Sequence, residues 1–371
     1  MNDPRIATFK DKKSLKDLWR LCFNTDSDSF ISWFFKNRFI PRYCVLIEEE
    51  GKVLCALHSL PVHLNIRDKI IDSVIIAGVG THPDFRGQGY MGKVFRYYMN
   101  YISSMGIVLT NLTPEYTPTY ISLGHLPATN SGHLTIDRTT KTKMPDSIKD
   151  TDLTSGISSI YSCYSLFSKQ YSGIVSRSYA DFRFKLGDYL ADSAKCIAYI
   201  KDDILKGYCI YYDTPKLLHA EEFVFTSPEA VNPMVYGLMS KAYGKKLHIK
   251  TPPDVKIEIK NANFEIKPQA SCGVANAPSL LSSICGTKDF TVLIKDKNVL
   301  SNNGTFDFSG CPTEKEAQLT INAEHLCQWL NGYISLKELH EKNLVSVLDL
   351  NVLDELDGLL PIKKCFIVDE Y

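Results

Sequence analysis

The sequence predicts an α/β protein of the α+β kind: a mixed, mostly antiparallel sheet flanked by helices, built twice and followed by a smaller α+β unit. Three observations carry the prediction. Apolar runs of strand length between residues 44 and 81 are separated by short turns, which join antiparallel neighbours, and they lead into a strand–helix–strand step that makes one parallel crossover. The same order of elements returns after about Gly156. From about residue 286 the pattern changes to short strands followed by helices.

Each element has a local reason. Leu15, Leu18, Trp19 and Cys22 recur at helical spacing behind Ser14, and Phe30, Trp33 and Phe34 mark a second helix after Asp28. Strands are expected at 44–48, 53–59, 60–66 and 70–81, with turns at Glu50-Gly51 and Arg67-Asp68. Met91, Val94, Phe95, Tyr98 and Ile102 form one helix face, and Gly106 separates that helix from a strand at 107–112. A short helix at 117–123 stops at Gly124.

The second cycle has an amphipathic stretch (Ile157, Ile160, Tyr161, Tyr164), strands at 196–200, 205–212 and 218–225, a helix at 230–242 and a strand at 246–250. Between its last meander strand and its helix stands Thr226-Ser227-Pro228-Glu229, with no glycine. The third unit has strands at 290–294, 305–308 and 318–321 and helical stretches at 324–330 and 345–353. Domains are expected at 1–150, 151–285 and 286–371, divided in polar segments.

The 371 residues exceed the ~250–300 at which single cores stop growing. Hydrophobic residues at 44% and charged residues at 23% are those of an ordinary globular protein. Lys plus Arg and Asp plus Glu both number 42, so no global field attracts nucleic acid or an anionic membrane. Residues 1–23 are charged and lack the apolar core of a secretory leader, and no run of 18 apolar residues occurs. The 11 cysteines are scattered without a C-x-x-C pair, mostly in apolar runs, which points to a reducing cytoplasm and no zinc or other metal.

The chemistry concentrates at residues 79–92. Gly87 to Gly92 matches G-x-G-x-x-G, but His82 to Arg86 separate it from its strand, and the strands before it form a meander rather than a βαβ unit. It also approaches a P-loop, except that Val94 occupies the position of the magnesium-binding hydroxyl. A third reading uses every feature present. Glycines let successive N–H groups point into one concavity, the helix starting near Tyr90 adds its positive end, and Arg86 adds charge, which together suit a pyrophosphate.

Val79-Gly80-Thr81-His82-Pro83-Asp84-Phe85-Arg86-Gly87-Gln88-Gly89 resembles the GNAT acetyltransferase signature V-x-V-x-P-x-x-R-G-x-G, with Thr81 in place of an apolar residue and Met91 where many members carry Gly or Ala. The resemblance implies acetyl-CoA as co-substrate. Val79, Gly80 and Thr81 would face its acetyl and pantetheine part, Arg86, Gly87, Gln88, Gly89, Tyr90, Met91 and Gly92 would hold its pyrophosphate, and Glu115 is grouped with them. Tyr120-Ile121-Ser122-Leu123-Gly124-His125 resembles the GNAT segment Y-x-x-x-G-[FYH], whose tyrosine is the general acid, although a helical tyrosine usually serves packing. Glu115 and His125 lie near in sequence, but no evident base does.

The whole-chain layout resembles the Eis (enhanced intracellular survival) acetyltransferases: an active GNAT domain, a second GNAT-like domain without the cofactor loop, and a sterol carrier-like domain. Leu326 to Tyr333 with Leu336 and Leu339, and the apolar, aromatic ending at 364–371, support it. The resemblance makes the α-carboxylate of Tyr371 the general base; a strand end closing the third unit is the plainer reading. Asp26, Trp33 and Glu370 would shape an acidic, aromatic amine pocket, although Asp26 and Asp28 also suit helix capping. The expected activity is acetyl transfer to a primary amine of an aminoglycoside-like cation or of a lysine. The rival is a non-catalytic acyl-CoA sensor or lipid carrier. A trimer or hexamer is compatible with the resemblance, and no sequence patch establishes one.

Overall fold

The computed structural model describes residues 3–257, 259–286 and 289–370. The chain begins with β1 (Arg5–Ile6), α1 (Lys12–Cys22) and α2 (Asp28–Asn37). A meander follows, of β2 (Cys44–Glu49), β3 (Lys52–Ile66) and β4 (Lys69–Thr81), then α3 (Tyr90–Ser104), β5 (Leu109–Leu112), α4 (Thr117–Ile121), β6 (Leu126–Pro127) and β7 (Asn130–Ile136). The second cycle comprises β8 (Ile148–Asp150), α5 (Ile157–Phe167), β9 (Ile174–Val175), α6 (Tyr179–Ala191), β10 (Lys195–Lys201), β11 (Ile204–Asp213), β12 (Leu217–Phe225), α7 (Val231–Lys241), β13 (Lys246–Thr251), β14 (Asn263–Pro268), β15 (Ser271–Val274) and α8 (Ala277–Ile284). The third unit holds β16 (Thr291–Lys295), β17 (Gly304–Asp307), β18 (Leu319–Asn322), α9 (Ala323–Asn331), α10 (Leu336–Glu341), β19 (Val345–Val347) and α11 (Leu350–Leu359).

The mixed, mostly antiparallel architecture is the expected one. The first sheet runs β1-β2-β3-β4-β5-β15-β6 with β9 on β3, the second β14-β7-β13-β12-β11-β10-β8, and the third β17-β16-β18-β19. Each has one parallel pair: β4 with β5, β12 with β13, and β16 with β18. The sheets cross the expected chain boundaries. β7 pairs with β13 in the second sheet, and β15 returns between β5 and β6 in the first. The two units are thus tied by exchanged strands.

Three local expectations differ from the structure. The runs at 53–59 and 60–66 are one strand, β3, because no turn residue separates them and a register shift at His58/Ser59 absorbs the bend. The stretch 345–353 is not a single helix: β19 closes the third sheet, and Asp349 caps α11 through Asn351 N–H and Val352 N–H. The apolar ending is buried but extended rather than a paired strand, with a single bridge between Ser172 and Cys365. Of the 11 cysteines only Cys311 is exposed, so the others pack as small hydrophobes. Among the described residues no helix is long and apolar enough to cross a membrane.

Candidate active site

The glycine loop is built for open space. α1 packs across β4, where a Cβ on Gly78 would meet Trp19 at 3.0 Å and one on Gly80 would meet Cys22 Sγ at 3.1 Å. A turn at Pro83–Phe85 then leads to Gly87 (φ +78°) and Gly89 (φ +80°), backbone conformations that side chains resist. A Cβ on either would meet nothing within 4 Å, so conformation, not crowding, demands glycine there and the space above the loop is empty. No side chain caps α3, which leaves its first N–H groups facing that space.

Arg86 is exposed, and its Nε donates to the Thr81 carbonyl at 3.2 Å, which holds the guanidinium beside the loop. Tyr90 buries its ring in the core and so contributes to the cradle through its backbone alone. Met91 packs partly on that core, and a Cβ on Gly92 would meet the Arg96 guanidinium at 3.4 Å.

The sheet opens beside this loop. In β3/β4, His58 pairs with Gly78 and Ser59 with Ile76, leaving Ala77 as the extra residue of a bulge. β4 pairs with β5 only from Ser73–Ile75 to Leu109–Asn111. Beyond that the two strands part, and Ile76 to Val79 face Leu112 to Glu115 across a cavity of about 530 Å³. Peptide groups of β4 on this side lack a strand partner and are available to an extended ligand.

Tyr120 lines the cavity from α4. Gly124 (φ +79°) ends the turn, and His125 N–H donates to the Tyr120 carbonyl at 3.0 Å. The His125 ring is fully buried, shares a 2.6 Å hydrogen bond with Thr110 Oγ1 and lies so close over Gly273 that a Cβ there would meet it at 2.3 Å. Burial holds His125 neutral, its pKa pushed down to about 4. It therefore fixes α4 in place rather than acting as a base. Phe95 packs edge-on to both Tyr120 and His125. The Tyr120 phenol is pushed up by burial, and further by Glu115 and Cys55, so it holds its proton at neutral pH.

The opposite wall comes from the second unit and the tail: Lys185 and Asp188 on α6, Asp192 at its C-terminal cap, Glu221 on β12, and Glu370. Sequence reasoning missed the first four. Their one local signal is Glu221-Glu222 inside the mostly apolar β12, where two carboxylates require partners. Of the expected amine-pocket residues, Asp26 and Glu370 line the cavity. Trp33 does not. Its ring fills the notch above Gly187, where a Cβ would approach to 2.2 Å, and its Nε1 donates to Asp188 at 2.8 Å, so it joins α2 to α6. Neither Asp26 nor Asp28 caps α2; Ser27 does, accepting from Phe30 N–H. Asp26 instead accepts from Trp19 Nε1 at 2.8 Å, and burial, reinforced by Asp192, raises its pKa.

The tail is locked between the units. Buried Arg177 bridges Glu222 at 2.9 Å and Asp369 at 3.0 Å, and its charge outweighs the effect of burial to keep Glu222 ionised. Lys250 joins Glu221 to Glu370, Gln269 donates to the Ile367 carbonyl and to Glu370, and Lys185 Nζ donates to the Glu370 carbonyl at 3.1 Å. The last described residue therefore stands at the cavity wall. Tyr371, expected to supply the base, lies outside the described residues.

Residues 3–128 match the model of an acetyltransferase (GNAT) domain, and residues 279–367 that of a sterol carrier protein domain. No curated protein matches the chain. Solved structures that align over 100% of both chains include the following three. A conserved protein of unknown function from Enterococcus faecalis V583, described as a probable N-acyltransferase, is 17% identical with a TM-score of 0.82. A GCN5-related N-acetyltransferase from Anabaena variabilis is 16% identical at 0.81, and Eis1 from Mycobacterium abscessus 15% identical at 0.75. Such identities establish likeness of fold. The cradle and the parted strands thus lie within the residues that match an acetyltransferase (GNAT) domain, in a chain whose last part matches a sterol carrier protein domain.

Proposed function

We propose that the protein is an N-acetyltransferase that moves the acetyl group of acetyl-CoA to a primary amine of a cationic small molecule or of a lysine. The observation that carries this reading is continuity: the glycine cradle leads along the side of β4 that β5 leaves uncovered into a cavity with Tyr120 on one wall and carboxylates on the other. Among the described lining residues, Asp26, Glu115, Asp188, Asp192, Glu221 and Glu370 stand against Lys185 as the one cation. An ammonium group gains from such a wall, and an anionic substrate does not.

In this reading the loop and Arg86 hold the pyrophosphate, and β4 peptide groups at Val79 to Thr81 align the pantetheine arm. The amine attacks the thioester carbonyl, the tetrahedral oxyanion collapses, and the thiolate leaves with the proton of Tyr120. The resemblance assigns the amine's proton to the carboxylate of Tyr371, and the locked path of residues 365–370 toward the cavity supports that assignment.

Calorimetric titration with acetyl-CoA, with NADH and ATP as controls, tests the cradle. Saturable binding of acetyl-CoA alone is expected, followed by acetylated product when cationic amines are supplied. A folded protein that binds no acetyl-CoA overturns the proposal.

A further inference from the structure

A second depression continues the glycine cradle along α3, and Arg96 belongs to both. Its side chain runs back toward the helix N-terminus, where the Cβ that Gly92 lacks would meet its guanidinium at 3.4 Å. The same residue lines an open groove of about 610 Å³ over the following turns of the helix. Tyr97, Asn100 and Tyr101 line that groove from α3, and Lys297, Asn298 and Leu300 line it from the third unit. Tyr97 and Leu300 are exposed, so the groove presents an aromatic ring and an aliphatic side chain to solvent.

The wall from the third unit is held in place by its own hydrogen bonds. Asp296 accepts from the N–H groups of Asn298 and Val299 at 2.8 and 3.0 Å and from Asn302 Nδ2 at 2.8 Å. Asn302 also accepts from Ala277 N–H at 2.8 Å and donates to the Val274 carbonyl at 3.1 Å, which ties the loop to β15 and α8. Val299 is buried in the same core as Phe95 and Tyr98 of α3, and Asn100 Nδ2 donates to the Asn298 carbonyl at 3.2 Å. The loop is thus fixed against α3, with Lys297 and Leu300 left exposed at its surface.

The charge of the groove is opposite to that of the acidic cavity. Arg96 and Lys297 line it, no carboxylate does so among the described residues, and neither cation has an ion-pair partner among them. Two uncompensated cations beside tyrosine rings suit a phosphate joined to an aromatic base. The cradle decides which one. Coenzyme A carries an adenosine with a 3′-phosphate beyond its pyrophosphate, and the pantetheine arm occupies the path along β4 toward the cavity. Resting on the acetyl-CoA reading, we infer that the groove is the subsite for the 3′-phosphoadenosine end of the cofactor. Arg96 and Lys297 hold the 3′-phosphate, and Tyr97 and Tyr101 flank the adenine. The third unit thereby takes part in cofactor recognition through Lys297.

Calorimetric titration of the full-length protein with acetyl-CoA and with 3′-dephospho-acetyl-CoA, which differ in that phosphate alone, tests the inference. The wild type should bind acetyl-CoA about 10-fold more tightly. Arg96→Gln and Lys297→Gln should each weaken acetyl-CoA binding about threefold and leave the affinity for the dephospho compound within about twofold. Tyr97→Ala should weaken both ligands alike. Equal wild-type affinity for the two ligands, equal losses of both in the glutamine variants, or a Tyr97→Ala protein that binds both as the wild type does, overturns the groove alone. Folded wild-type protein that binds neither ligand overturns the acetyl-CoA reading, and the groove with it.

Discussion

The two sheet units carry the same fault line and use it differently. In the first, the bulge residue Ala77 stands just past the last β4–β5 pair, Ile75 with Asn111. In the second, the pairing steps from Ile210–Glu222 to Tyr211–Ala220, which makes Glu221 the extra residue just past the last β12–β13 pair, Ala220 with Ile249. The first gap is lined mostly by small and apolar residues, with Glu115 at its end, and opens onto a glycine cradle. The second has lost the cradle to Thr226-Ser227-Pro228-Glu229, and the charges at its bulge bind the chain's own tail through Lys250 and Arg177. One bulge borders an open cavity, the other a strap. The unit without a glycine loop supplies one wall of the cavity beside the unit that has one.

The strongest way to break this division is to cut the strap. Arg177→Met leaves Glu222 and Asp369 buried and unpaired, a loss of about 3–5 kcal/mol in stability. Denaturant unfolding reads that loss. Calorimetry below the melting transition should find acetyl-CoA affinity within about twofold of wild type, because the cradle belongs wholly to the other unit. Affinity that falls together with stability would erase the division of labour. Next in size is Tyr120→Phe. It removes only the proton donor, so kcat should drop about 100-fold while stability and acetyl-CoA affinity hold. Full activity would reduce Tyr120 to a packing residue of α4.

How much of this was legible depends on how local each feature is. The cradle, its arginine and Tyr120 were readable because each is fixed by a handful of consecutive residues whose backbone demands (positive φ at Gly87, Gly89 and Gly124) leave a mark in sequence. The bulge at Ala77 left none, since a bulged alanine reads like any strand residue. The rest of the acidic wall was hidden because Asp188, Asp192 and Glu221 reach the cavity from elements far from the glycine loop in the chain. The tail was readable as buried from its apolar run, but not as unpaired, because that depends on the distant Ser172 offering a single bridge. Trp33 misled for a related reason: an aromatic beside acids fits an amine pocket, and only Gly187, some 150 residues on, shows that the ring is a fastener.

The cradle itself can be compared across the units. Gly89→Val forces a β-branched side chain to φ +80°, at about 1–2 kcal/mol, and should weaken acetyl-CoA binding about 10-fold with little change in the rest of the fold. Pro228→Gly, at the matching connection of the second unit, should leave that affinity unchanged. Equal losses in both variants would mean that both connections touch the cofactor.

The smallest effect sharpens the role of the acidic wall. Asp26 holds the indole N–H of Trp19 and stands in the cavity beside Asp192, half-buried. Burial and that neighbour raise its pKa, so Asp26 loses its negative charge at a higher pH than an ordinary aspartate on acidification. A bound ammonium is then held less well as the pH falls through that raised value, and held fully above it. In the wild type, KM for the amine should therefore rise on acidification while KM for acetyl-CoA stays level. Asp26→Asn should raise the amine KM about fivefold near neutrality, the ~1 kcal/mol of a partly screened charge contact, and should flatten its pH dependence over the same range. If the variant keeps the wild-type pH dependence, the titrating group lies elsewhere on the wall, and Asp26 serves only to anchor Trp19 against Gly78.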